Sequence, residues 1–90
     1  MYTIAATRYF LRRAKKFFRK HPELREDFSR VVDELKEGSL HSAFSLGGNL
    51  EGLFAVRLTY CYRITLTLKV TEKEIILLDI GSHDEVYRRK

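Results

Sequence analysis

At Leu53 the spacing of apolar residues changes from threes and fours to twos, which restricts the chain to helices first and a sheet afterwards. Before that point Phe10, Leu11, Ala14, Phe17 and Phe18 recur on one side of a helix. Leu24, Phe28, Val31 and Leu35 do the same at steps of four, three and four. Beyond it, Phe54, Val56 and Leu58 alternate with Ala55 and Arg57, and Tyr62, Ile64, Leu66, Leu68 and Val70 alternate with Cys61, Arg63, Thr65, Thr67 and Lys69. Each strand therefore has one apolar face and one polar face.

Local signals bound the elements. Residues 2–5 read as a short first strand, and Thr7 is placed to cap a helix that runs to about Lys20. His21-Pro22 interrupts the pattern, with Pro22 suited to the first residue of a second helix, which Gly38 ends. Residues 75–80 form the last strand, reached through the polar turn Thr71-Glu72-Lys73. The expected architecture is α+β in the order β-α-α-β-β-β, a helical hairpin packed on one face of an antiparallel sheet. Ninety residues make one domain, 1–90.

Parity sets the register. Core positions on the late strands are even, so cross-strand partners should have even sums. A three-residue loop of Thr59, Tyr60 and Cys61 pairs Leu58 with Tyr62 and Arg57 with Arg63. Pairing Thr71 with Ile75 sets Arg63 opposite His83. Arg57, Arg63 and His83 would then form one row on the polar face, and a row of like charges needs an anion. Ile75 and Leu77 fall on that same face, either covered by the C-terminal tail or forming an exposed apolar strip for a partner.

Charge points the same way. The net charge is +5, and the first helix carries Arg8, Arg12, Arg13, Lys15, Lys16, Arg19 and Lys20 with no acid, more than solubility requires. A polyanionic partner such as RNA follows. The lone Cys61 excludes an internal disulfide and is expected as a small apolar filler, and no Cys/His cluster has metal-ligand spacing. The start is too soon charged for a secretion signal, and no apolar run approaches a membrane span. A cytoplasmic chain with no metal, no cofactor and no membrane partner is expected. His21 and His41 read as a helix terminus and a loop residue.

The segments Gly52-Leu53-Phe54-Ala55-Val56-Arg57-Leu58, Tyr62-Arg63-Ile64 and Gly81-Ser82-His83-Asp84-Glu85-Val86-Tyr87, in that order after a helical hairpin, resemble the RelE/ParE superfamily of type II toxins, closest to its YafQ-like branch. The likeness covers nearly the whole chain. It departs at Phe44, where many YafQ-like members carry a histidine; His41 lies three residues earlier. The resemblance implies a RelE-like fold and a metal-independent endoribonuclease that cuts messenger RNA, on the ribosome, and is neutralised by a cognate antitoxin. A segment of that antitoxin is the expected occupant of the strip at Ile75 and Leu77. It makes Arg57 and Arg63 phosphate ligands and His83 and Tyr87 a proton-transfer or base-positioning pair. The ParE branch, which poisons DNA gyrase, shares the fold, and a non-catalytic RNA-binding module is the third reading.

The residues suit that chemistry. RNA supplies its own nucleophile in the 2′-hydroxyl, so the protein needs proton transfer and charge stabilisation at phosphorus. Histidine, with an ordinary pKa of about 6.5, suits His83 to the role of general acid, while arginine forks hold phosphate. Tyr87 stands four residues from His83 and so shares its side in helix or strand; base stacking is its equally supported role. Arg12, Lys15, Lys16, Arg19, Lys20, Lys69, Arg88 and Arg89 are the expected contacts to messenger and ribosomal RNA.

Overall fold

The computed structural model describes residues 2–38, 44–46 and 52–82. Strand β1 (Thr3–Ala6) leads into helix α1 (Arg8–Lys20). Thr7 starts that helix, because its extended backbone lets Oγ1 accept the Phe10 N–H at 3.0 Å. The same hydroxyl donates to the Leu77 carbonyl at 3.4 Å, which ties the start of the helix to the sheet. Pro22 opens a single 3₁₀ turn, Pro22–Leu24, and α2 (Arg25–Lys36) begins after it, one turn later than expected. Gly38 stops α2 as anticipated: its φ of +84° is a left-handed conformation, and its N–H returns to the Leu35 carbonyl at 3.0 Å.

Strands β2 (Phe44–Leu46), β3 (Leu53–Arg57), β4 (Tyr62–Lys69) and β5 (Glu74–Ser82) complete a five-stranded sheet in the order β1-β5-β4-β3-β2. The α+β class and the helical hairpin stand, with two corrections. The sheet is mixed, since β1 runs parallel to β5, and a short strand not expected from the pattern, β2, lines the far edge antiparallel to β3. A parallel partner requires a long crossover, and here the chain between Ala6 and Glu74 supplies it. Four residues of β1 carry no signal for which edge they will join.

The β3–β4 hairpin has the expected register. Arg57 pairs with Arg63, and the Leu58 and Thr59 amides both donate to the Tyr62 carbonyl, at 2.9 and 3.2 Å. Tyr60 and Cys61 are exposed at its tip, so Cys61 is not core filler.

The β4–β5 hairpin differs. A 3₁₀ turn, Val70–Glu72, followed by Lys73 at φ +50°, pairs Lys69 with Glu74, an odd sum. Ile75 and Leu77 therefore face the helices, opposite Leu68 and Leu66. A β-bulge then takes up Leu78: Leu66 pairs with Leu77, but Thr65 pairs with Asp79, and the sums are even from there on. Ile80 thus also faces the core. The supposed apolar strip does not exist, because Ile75 and Leu77 are 0% and 2% exposed. Arg63 pairs with Gly81 instead of His83.

The core lies between the helices and one sheet face, joining Phe10, Phe17, Phe18, Val31 and Leu35 to Val56, Leu58, Ile64, Leu66, Ile75, Leu77 and Ile80. Ala14, Leu24 and Phe28 pack at its margin. Leu11, expected inside, is 59% exposed.

Candidate functional site

Even-numbered residues of β3 and β4 point to the helices, so Arg57 and Arg63 stand on the opposite, open face. They are direct cross-strand partners: Arg57 is exposed and Arg63 half-buried. Cross-strand partners have Cβ atoms about 4.5–5.5 Å apart, within the span that one phosphate can bridge. The next row inward is Ala55, Thr65 and Asp79. Thr65 is buried, and its Oγ1 has no hydrogen-bond partner among the described residues.

Ser82, the last described residue of β5, pairs with Tyr62, next to the row that holds Arg57 and Arg63. His83, Tyr87, Arg88 and Arg89 lie outside the described residues, as does His41. Of the expected site, the sheet therefore brings Arg57 and Arg63 together. Lys69 is not with them: it stands six residues along β4 from Arg63, about 20 Å away at strand rise, and pairs with Glu74.

The basic helix divides into stripes. Arg12, Lys15 and Arg19 are exposed, whereas Arg13, Lys16 and Lys20 face a cleft. Arg13 is engaged inside the fold, with Nε donating to Asp79 Oδ1 at 3.0 Å and Nη2 to the Ile80 carbonyl at 3.2 Å. Asp79 Oδ1 also accepts the Ile80 N–H at 2.8 Å. Burial of a carboxylate in the bulge is thereby matched by a cation and a backbone donor.

That cleft, about 420 Å³, is lined by Arg13, Lys16, Phe17, Lys20, His21, Tyr62, Ile80 and Ser82. At its base the Tyr62 hydroxyl and His21 Nε2 are 3.3 Å apart. The two rings are 4.9 Å apart, and Phe17 meets Tyr62 edge-on at 5.0 Å. On its other side His21 Nδ1 lies 3.7 Å from Glu23 Oε2. Sequence reasoning missed this pair. His21 looked like a helix terminus and Tyr62 like a core position, and 41 residues separate them in the chain.

No protein-family model and no curated protein matches the chain. Solved structures do match it. A metal-bound toxin from Helicobacter pylori aligns with a TM-score of 0.81 at 22% identity, covering 96% of this chain and 99% of that one. YafQ from Escherichia coli strain BL21(DE3) aligns at 0.77 and 11% identity, covering 97% and 99%. The toxin–antitoxin complex RelBE2 from Mycobacterium tuberculosis aligns at 0.64 and 21% identity, covering 91% and 98%. At these identities the likeness is one of architecture, and the chain has the RelE-like α+β fold of these toxins.

Proposed function

We propose that this chain is the toxin of a type II toxin–antitoxin pair, an endoribonuclease that cleaves messenger RNA on the ribosome in the cytoplasm. The observation that carries the reading is the Arg57–Arg63 pair on the open face, at the end of the sheet from which the chain continues into His83. Like charges so paired oppose folding and favour an anion between them. Sharing a fold with YafQ and with the toxin–antitoxin complex RelBE2 supports a toxin role and a cognate antitoxin as partner.

The chemistry is transesterification. The 2′-oxygen bonds to phosphorus as its proton passes to solvent water, the bond from phosphorus to the 5′-oxygen breaks, and His83 gives that oxygen a proton. Arg63 and Arg57 hold the phosphate oxygens as negative charge builds on them. Tyr87 stacks on or orients the adjoining base. The proposed reaction calls on no metal ion and no cofactor.

The test is a cell-free translation reaction with a defined messenger, in which 5′ ends are mapped by primer extension. New ends that require ribosomes are expected from the parent protein. His83→Ala and Arg63→Ala should fold normally and yield none. Intact messenger and undiminished translation would overturn the reading, and gyrase inhibition without new ends would mark the ParE-like alternative.

A further inference from the structure

The cleft between α1 and the ends of β4 and β5 is not part of the arginine row. Tyr62 and Arg63 are consecutive on β4, so their side chains leave opposite faces of the sheet at the same end. We infer that this cleft binds one nucleotide of single-stranded RNA, with Lys16 and Lys20 on the phosphate and the Tyr62–His21 pair against the base. The inference deepens the RNA reading by adding a subsite on the helix side of the sheet.

Three observations carry it. Lys16 and Lys20 are one helical turn apart on the same side of α1, and neither has an ion-pair partner among the described residues. Arg13 precedes them on that side. Like charges at this spacing destabilise a helix, so the stripe gains from a bound anion. Arg13 is held by Asp79 and Ile80, which leaves the two lysines as the adaptable donors.

The second observation is the aromatic floor. Phe17 holds the Tyr62 ring edge-on, and the contact between His21 and the Tyr62 hydroxyl fixes both rings beside the lysines. Ordered aromatic rings next to cations are what a single-stranded nucleic acid uses, base on ring and phosphate on cation. An acidic peptide would use the lysines and leave the rings idle. Third, about 420 Å³ lies within the range of small-molecule sites, enough for a base and its phosphate together. A strand passing around this end of the sheet would meet the arginines on one face and the cleft on the other.

The experiment is an NMR titration with a short oligouridylate methylated at every 2′-oxygen, which cannot be cut by its own hydroxyl. Ring resonances of Tyr62 and His21 should move with the amides of Lys16 and Lys20. The double variant Lys16→Glu/Lys20→Glu, at two exposed positions, should retain the parent circular dichroism and lose at least tenfold in affinity. Its salt dependence should fall by about 0.7, the value for one phosphate of a single strand. Tyr62→Phe should keep most of the binding, while His21→Ala should lose at least fivefold. Inorganic pyrophosphate should move the lysine amides and leave the rings still.

Unmoved Tyr62 and His21 rings at saturating RNA, or unchanged affinity in the double variant, would overturn the inference. So would tighter binding of an oligoglutamate peptide than of the RNA. Failure of the nuclease reading is a separate result. RNA bound in this cleft with no messenger cut leaves the subsite standing, and cleavage with a silent cleft does the reverse.

Discussion

Arg57 faces Arg63 across neighbouring antiparallel strands, two guanidinium groups on the side of the sheet away from the helices. Like charges directly opposite weaken a strand pair, and an anion bound between them would offset that cost. Arg57→Thr should therefore stabilise the free protein, in the lower part of the roughly 0.2–1 kcal/mol range for cross-strand pairs because Arg57 is solvated. The gain should shrink as salt is added. The same variant should lose RNA cleavage, and urea unfolding at two salt concentrations alongside primer extension checks both effects.

The ion pair between Arg13 and Asp79 predicts an asymmetry. The Asp79 side chain is 8% exposed and that of Arg13 24%, so the partner left behind matters. Arg13→Ala removes the cation beside a buried carboxylate and should cost about 3 kcal/mol, whereas Asp79→Ala leaves a cation nearer to water and should cost about half of that. Equal losses in chemical denaturation would contradict this account.

The bulge makes neighbouring leucines unequal. Leu77→Ala opens a cavity in the core and should cost about 2–5 kcal/mol. Leu78, the extra residue at the bulge and only half-buried, should cost clearly less when cut back to alanine. Deletion of Leu78 should abolish cooperative thermal unfolding, since Ile75 and Leu77 could then face the core only if Ile80 did not.

Thr65 buries a hydroxyl that has no partner among the described residues. Valine has nearly the same shape and lacks the desolvated group, so Thr65→Val should raise stability by about 1 kcal/mol. A drop in the melting midpoint would show that the hydroxyl is satisfied in solution.

Much of the fold was legible because local chemistry and the core agree. Thr7 caps α1 through its own hydroxyl, Gly38 ends α2 through its left-handed backbone, and even positions on β3 and β4 face inward because a pleat alternates. The Arg57–Arg63 pair followed from parity and the shortest loop. Parity failed on β5, where one residue of bulge reverses the inside and outside of a strand without changing its composition. The turn at residues 70–73 had already buried Ile75 and Leu77, and the bulge then brought Ile80 inward and set Gly81 across from Arg63.

The helical hairpin, the alternating strands, the excess of positive charge and the arginine pair were all readable from residue order, because they are properties of neighbours along the chain or across a short hairpin. Tertiary structure alone decided that β1 lies parallel to β5, that Arg13 is spent on Asp79, and that His21 meets Tyr62 beside two lysines. Those contacts join residues many positions apart. Which of them form depends on how the helices seat on a twisted, bulged sheet, and no local pattern records that.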